Sequence, residues 1–116
     1  SIAFPAGESK HGPISLVENG FPVVFVCPKD DTHKTVIGNI MEMKARGAHI
    51  IAVIEEGDQD IKTLADDYIE VPKGIPSVLS PIPFAVPLQL LAYYTALEKG
   101  YNPDMPRNLA KAVTVK

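Results

Sequence analysis

The sequence has no tryptophan and a single cysteine, Cys27. One cysteine cannot form a disulfide within the chain, and Cys27 stands in an apolar run, so we expect a reduced thiol in a protein core. Basic residues are also few: 11 Lys and Arg stand against 14 Asp and Glu, for a formal net charge of -3. This balance, without a basic block, argues against nucleic acid or an anionic membrane as a partner.

Other signals are absent from the sequence as well. No apolar run reaches the roughly 20 residues that span a bilayer, and nothing reads as a signal peptide, so we expect a cytoplasmic protein with no membrane partner. There is no glycine-rich phosphate loop and no H-x-x-x-H or C-x-x-C spacing, so we expect neither a cofactor nor a metal. The chain of 116 residues fits one domain. It starts at Ser1, not Met, in structured-looking sequence, which suggests a fragment of a longer protein.

What is present is an alternation of strand and helix patterns. Residues 21–27 and 50–54 are continuous apolar runs, typical of strands buried on both faces of a parallel sheet. Between them, residues 33–46 carry apolar side chains at helical spacing, and Gly47 ends the helix. A short helix around residues 61–65 and a third strand at 68–72 follow. This βαβ order predicts an α/β fold with a parallel sheet and helices outside it.

Two further helices are predicted. A short one covers residues 13–18, with Pro13 in its first turn and Asn19-Gly20 as its C-cap. A longer one covers residues 83–99 after a Pro- and Gly-punctuated loop, and Gly100 ends it. Because several of its sides are apolar, we expect this helix to be buried between layers.

Two polar features are candidates for chemistry. The acidic cluster at residues 55–60 follows a predicted strand, so a Mg²⁺ role is conceivable, but charge runs are usually solvated loops, and we favour that interpretation. His33 and His49 are interpreted as surface or edge residues. The K-H-G-P stretch at residues 10–13 places a cation and an imidazole before a helix N-terminus, where either a ligand site or a polar loop fits the spacing.

The C-terminal stretch combines turn signals with apolar residues. Pro103 and Pro106 disfavour helix, whereas Leu109, Val113 and Val115 are too apolar for a typical disordered terminus. We therefore expect this end to dock on something. By pattern alone, a coil on the domain surface is favoured over a functional tail.

Three stretches resemble one family. G-E-S-K-H-G-P-I-S-L at residues 7–16 is similar to the G-E-x-K-H-G-P motif of the sugar isomerase (SIS) domain in glutamine–fructose-6-phosphate aminotransferases. P-L-Q-L-L-A-Y at 87–93 and P-R-N-L-A-K-A-V-T-V at 106–115 resemble the helix and C-terminal tail of the same enzymes. K-H-G-P is shared among sugar isomerase modules, whereas the tail motif is highly specific, and together they anchor both ends of the chain.

The resemblance implies a fold and a set of site residues. Residues 1–116 would be the second, C-terminal sugar isomerase subdomain, a three-layer αβα sandwich with a parallel sheet, ending in an active-site tail at 101–116. His11 would assist opening of the sugar ring in the site of the neighbouring subunit, and Lys10 would contact substrate. Lys111 would act at the carbonyl of the open-chain sugar. Ala110 would line the pocket with its backbone and, with Val113, the ammonia passage.

The implied enzyme makes glucosamine 6-phosphate from fructose 6-phosphate and glutamine-derived ammonia, without a cofactor, as a homodimer. Its partners within the same protein would be the upstream isomerase subdomain and the glutaminase domain. The family's isomerising glutamate, a companion lysine and the Ser/Thr-rich phosphate pocket would lie upstream of Ser1, so we expect this chain to be inactive alone. Two alternatives remain open: a non-catalytic sugar-phosphate-binding regulatory module of the same fold, and a structural dimerisation domain.

Overall fold

The computed structural model describes residues 1–105. The chain divides into two compact units, Ser1–Phe84 and Ala85–Lys116. The first unit contains the sheet and the helices that connect its strands. The second contains most of the long third helix and the tail, whose proposed chemical residues Ala110, Lys111 and Val113 lie outside the described residues.

The sheet of the first unit has three parallel strands, as predicted. They are β1 (Pro22–Cys27), β2 (His49–Glu55) and β3 (Asp67–Val71), in the spatial order β1-β2-β3. Val24 pairs with Ile51, and Ile51 pairs in turn with Asp67. Parallel neighbours require crossover connections, and the carboxyl ends of all three strands therefore lie at the same edge.

Helices make these crossovers. Helix α1 (His33–Ala45) joins β1 to β2, within one residue of its predicted end, and α2 (Gln59–Lys62) joins β2 to β3. α2 is shorter than the predicted helix and begins earlier, because Asp58 caps it by accepting a hydrogen bond from the Ile61 amide. The core between α1 and the sheet consists of apolar side chains, namely Phe25, Cys27, Val36, Ile40, Met43, Ala48, Ile50, Ala52, Ile54 and Ile61.

Strand β1 is buried on one face only. Phe25 and Cys27 pack in the core with α1, whereas the residues that alternate with them, Val24 and Val26, are 38% and 39% exposed. The prediction that residues 21–27 are buried on both faces is therefore wrong for this chain. A continuous apolar run predicts a strand covered on both faces, but it does not reveal which part of the protein supplies each covering layer.

The turn before β1 is locked to the turn before β2. The Gly20 amide donates to the Gly47 carbonyl oxygen at 2.7 Å. Gly47 has a φ of 85°, and a Cβ at this position would lie 2.9 Å from the Asn19 side-chain oxygen. Only glycine fits here, because the backbone conformation and the close approach both exclude a side chain.

The N-terminal segment differs from its prediction. Instead of one short helix at residues 13–18, it forms two 3₁₀ helices, Ala6–His11 and Pro13–Leu16. The amide and the hydroxyl of Ser15 both donate to the Gly12 carbonyl oxygen, at 2.9 and 2.7 Å. These bonds span three residues, not four, and Val17 is already extended, so the helix ends before Asn19.

The long helix α3 spans Pro81–Glu98, and a 3₁₀ turn at Ser77–Leu79 precedes it. Its predicted burial between layers is not observed, because many apolar side chains along it are exposed: Ile82, Val86, Leu90, Leu91, Tyr93, Tyr94 and Leu97. The stretch Ser77–Glu98 is long and apolar enough to cross a bilayer by length and composition. This corrects the expectation that no stretch approaches that length. By itself it assigns no membrane location, because core helices of soluble proteins meet the same criterion.

Candidate functional site

The K-H-G-P stretch lies at the end of the first 3₁₀ helix and the start of the second. Lys10 and His11 are exposed, whereas the residue before them, Ser9, is 1% exposed. Gly12 separates the two helices with a φ of 153°, a backbone conformation that residues other than glycine rarely adopt. The structure thus presents a cation and an imidazole next to each other at the surface of the first unit.

The other candidate site residues cannot be placed beside this pair. Lys111, Ala110 and Val113 lie beyond residue 105, outside the described part of the chain. The predictions that these residues serve catalysis, substrate binding and an ammonia passage therefore stay predictions. The roles of Lys10 and His11, both of which are exposed, also stay predictions.

The acidic cluster at residues 55–60 is more structural than predicted. Glu55 accepts a hydrogen bond from the Lys29 amide at 2.9 Å, which ties the loop after β1 to the end of β2. Asp58, only 2% exposed, caps α2. The interpretation as a solvated loop is thus wrong for Asp58, because its carboxylate has a capping role inside the fold. Within residues 1–105, no group of three His, Cys, Asp or Glu side chains could hold a metal ion.

A second carboxylate stabilises the neighbouring turn. Glu70 of β3 accepts from the Gly57 amide at 3.0 Å and pairs with the Lys62 ammonium at 2.7 Å. These two hydrogen bonds lower the pKa of Glu70 below its usual range, and the bond from Lys62 has the larger effect. The Lys62 ammonium also lies 5.0 Å from the centre of the Tyr68 ring. Together these contacts tie α2 and the turn before it to strand β3.

Sequence reasoning missed one buried polar pair. The Nε2 atom of His33 lies 2.6 Å from Oδ2 of Asp58, and the two residues are 9% and 2% exposed. The interpretation of His33 as a surface or edge residue is therefore wrong. The available signal was topological: both residues follow carboxyl ends of adjacent parallel strands, where loops meet. The pair ties the start of α1 to the cap of α2.

Cys27 ends β1 with no exposed surface. Burial, and secondarily the negative charge of Asp58, raises the pKa of its thiol to about 12. The nucleophilic form of cysteine is the thiolate, so this side chain cannot act as a nucleophile near neutral pH. The prediction of a core thiol is confirmed.

The amino end of the sheet carries a separate set of polar contacts. Asp66 accepts a hydrogen bond from the Ile50 amide at 2.8 Å. This bond is the main cause that lowers the pKa of the Asp66 carboxyl, and the charge of the Lys44 ammonium lowers it further. His49 lies 2.7 Å from Asp67, and its side chain is 44% exposed, which agrees with its interpretation as a surface residue, although it begins the central strand. These contacts align β3 with β2 and lie at the end of the strands opposite the His33–Asp58 pair.

Comparison with known proteins identifies the family. The SIS domain model matches residues 1–99. A glutamine–fructose-6-phosphate aminotransferase [isomerizing] from Pyrobaculum aerophilum is 54% identical over 98% of this chain and 19% of that protein, and one from Thermus thermophilus is 50% identical over the same shares. The chain thus spans 19% of the length of these relatives.

A solved structure supports the same relationship. The C-terminal domain of glucosamine-fructose-6-phosphate aminotransferase from Francisella tularensis is 34% identical, with a TM-score of 0.75, over 86% of this chain and 28% of that one. The α/β class and the parallel sheet predicted from the strand and helix order are those of this domain. The chain belongs to the SIS domain family.

Proposed function

We propose that residues 1–116 are the C-terminal isomerase subdomain of an enzyme that makes glucosamine 6-phosphate from fructose 6-phosphate and glutamine-derived ammonia. The observation that carries the proposal is the extent of the similarity. The general SIS match ends at residue 99, whereas the similarity to the aminotransferases covers 98% of the chain and so extends into the tail. A regulatory sugar-phosphate module would need the fold but not a tail with a lysine for carbonyl chemistry.

His11 is the proposed acid–base group for sugar ring opening. Opening a cyclic sugar requires a proton to leave the anomeric hydroxyl and a proton to reach the ring oxygen, and an imidazole can perform both transfers near neutral pH. His11 and Lys10 are exposed on this chain, so a substrate bound largely by another part of the enzyme can reach them. This accessibility supports a role for His11 in the site of a neighbouring subunit, with Lys10 contacting the substrate.

Lys111 is the proposed group at the carbonyl of the open-chain sugar. A lysine reacts with a carbonyl only as the neutral amine, whereas an unperturbed lysine titrates at about 10.4. Its neighbours in sequence, Leu109, Ala110, Ala112 and Val113, are apolar and favour desolvation of the amine. In the same proposal, the backbone of Ala110 lines the pocket, and Ala110 and Val113 form part of the passage for ammonia.

The remaining machinery belongs to the rest of the enzyme. The isomerising glutamate, its companion lysine and the phosphate pocket are assigned to the part upstream of Ser1, and the glutaminase to a further domain. We also propose a cytoplasmic homodimer with no nucleic-acid or membrane partner. In this arrangement the chain contributes two reactive side chains to a site that it does not complete.

Lys111→Arg in the full-length enzyme tests the proposal. Arginine keeps the positive charge but cannot act as a neutral amine, so we expect synthesis of glucosamine 6-phosphate to fall about 100-fold or more. Glutamine hydrolysis should survive, because it takes place in another domain. Lys116→Arg makes the same chemical change five residues away and should keep the full synthase rate. A Lys111→Arg enzyme with most of its synthase activity would show that the lysine supplies charge alone.

A sugar-phosphate titration separates the two remaining alternatives. If the chain is a regulatory module, fructose 6-phosphate binds saturably, and Lys111→Arg does not change the synthase rate of the full-length enzyme. A structural dimerisation domain shows no saturable change in its NMR or fluorescence signal when the sugar phosphate is added. The proposed isomerase subdomain, within the full-length enzyme, shows both saturable binding and dependence on Lys111.

A further inference from the structure

The sequence contains a single Asn-Gly pair, Asn19-Gly20, in the turn that leads into β1. Asparagine before glycine is prone to spontaneous deamidation, because glycine has no side chain to hinder its own backbone nitrogen. That nitrogen attacks the Cγ atom of the asparagine, so that the N–Cγ bond forms and the Cγ–Nδ2 bond breaks. The backbone amide proton passes to a base in the solvent, and the side-chain nitrogen takes up a proton and leaves as ammonia. Water then opens the cyclic imide to aspartate or isoaspartate.

In the folded chain the attacking nitrogen is already engaged. The Gly20 amide donates to the Gly47 carbonyl oxygen at 2.7 Å, a short distance for an amide donor. The Phe21 amide donates to the Glu18 carbonyl oxygen at 2.9 Å and closes the turn. The His49 amide donates to the Phe21 carbonyl oxygen at 2.9 Å, so a second bond joins the turn to the start of β2.

The residue that accepts this bond is itself fixed. The Gly47 amide donates to the Lys44 carbonyl oxygen at 2.9 Å, which attaches Gly47 to the end of α1. Asn19 lies against Gly47, because a Cβ there would be 2.9 Å from Asn19 Oδ1 and 3.1 Å from Asn19 Cα. These contacts all lie within the first unit. To react, the Gly20 nitrogen must leave Gly47, lose its proton and turn toward the asparagine side chain, and these contacts oppose each step.

We propose that Asn19 is a deamidation site that the fold keeps latent, because the hydrogen bond from Gly20 to Gly47 withholds the nucleophile. Deamidation then proceeds through opening of the turn, at a rate set by the fraction of molecules in which it is open. Isoaspartate adds a main-chain atom between residues 19 and 20, so its formation disrupts the bonds of this turn. Neither the bond nor the reaction involves Lys10, His11 or Lys111, so both are independent of the proposed function.

Incubation of the full-length enzyme at mildly alkaline pH tests the proposal, with native enzyme and enzyme unfolded in guanidinium compared over one time course. Peptide mass spectrometry of residues 11–29 follows the mass increase from amide to acid, and chromatography separates the aspartate and isoaspartate products. We expect conversion of Asn19 to be at least about tenfold slower in the native enzyme. Asn39 is the internal control. Ile40 follows it and hinders the attack with its branched side chain, so in the unfolded enzyme Asn39 should convert more slowly than Asn19.

Two results from the unmodified enzyme would overturn the proposal. Equal rates for native and unfolded enzyme would mean that the hydrogen bond does not withhold the nucleophile. Absence of conversion at Asn19 in the unfolded enzyme would mean that Asn19 is not a deamidation site. Both comparisons are decisive without a variant and without a measurement of catalytic activity.

Gly47→Ala tests whether this particular contact is the cause. Its Cβ would meet Asn19, and a φ of 85° is strained for alanine, so we expect native Asn19 to convert about tenfold faster than in the unmodified enzyme. Gly57→Ala is the matched control, since Gly57 has a φ of 86°, no atom within 4 Å of an added Cβ, and a place beyond the opposite end of β2. It should leave the rate at Asn19 unchanged. An unchanged rate in folded Gly47→Ala, or equal acceleration by both variants, would overturn the role of Gly47.

Discussion

Cys27 shows how its surroundings set the chemistry of a single residue. Its thiol has no exposed surface, and its pKa rises from 9.0 to about 12, first by burial and then by the charge of Asp58. At pH 8 we expect no alkylation of Cys27 by iodoacetamide in the native enzyme and rapid alkylation after unfolding in guanidinium. Peptide mass spectrometry measures both. Modification of native Cys27 at the rate of the unfolded chain would contradict this assignment.

The same shift has a consequence for stability at high pH. The pKa is higher in the folded state than in the unfolded one, so the unfolded state releases the proton first. The contribution of Cys27 is complete below pH 9 and is lost as the pH rises from 9 toward 12. Cys27→Ala should therefore show a shallower decline of stability over this range, measured by thermal unfolding against pH. Equal slopes for the two proteins would contradict the raised pKa.

At the scale of secondary-structure elements, the His33–Asp58 pair joins two helices that the chain builds separately. Removal of one member of a buried hydrogen-bonded pair leaves the other without its partner and costs about 1–3 kcal/mol. We expect Asp58→Ala to destabilise the first unit by about 3 kcal/mol, because it also removes the cap of α2. The measurement is the free energy of opening from hydrogen exchange in α1 and α2 of the full-length enzyme.

Asp60→Ala is the matched control, since Asp60 is an exposed carboxylate two residues away. Its effect should stay within about 0.5 kcal/mol. A double-mutant cycle with His33→Ala isolates the pair. A coupling energy near zero would mean that Asp58 acts through the cap alone and that His33 is a passive neighbour.

At the scale of the whole molecule, the first prediction concerns the subunit to which His11 contributes. If His11 serves the neighbouring site, a hybrid dimer of one His11→Ala subunit and one Lys111→Arg subunit contains one intact site. Since half of the dimers in an equal mixture are hybrids, we expect about a quarter of the normal synthase activity. If His11 serves its own subunit, both sites of the hybrid are defective. Inactivity of mixtures whose subunits demonstrably exchange would show this second arrangement.

The second prediction concerns the chain by itself. Purified residues 1–116 should not convert fructose 6-phosphate to glucose 6-phosphate and should not hydrolyse glutamine, because the chain spans 19% of its aminotransferase relatives. The proposed carboxylate base and phosphate pocket belong to the remainder. The full-length enzyme in the same coupled assays is the control. Measurable isomerase activity of residues 1–116 would contradict the assignment of these groups to the upstream part.

Much of this fold was predictable because its signals are local. The apolar runs of β1 and β2 and the stop at Gly47 place these elements within about two residues, since each depends on neighbours in sequence. The motif stretches 7–16 and 106–115, read as a resemblance, indicate the family, and the SIS match confirms it. These features require no knowledge of distant contacts.

The rest depends on residues that are far apart in sequence. His33 and Asp58 are separated by 25 positions and meet because parallel strands bring their following loops to one edge of the sheet. The sequence does not predict the exposure of Val24 either, because an apolar run does not show whether this chain itself supplies the layer that would cover it. The burial of Ser9 depends on the packing of a 3₁₀ helix against α1. Sequence alone therefore determined the elements and the family. The tertiary structure decided which side chains are buried and which polar groups are paired, because only folding brings these distant residues together.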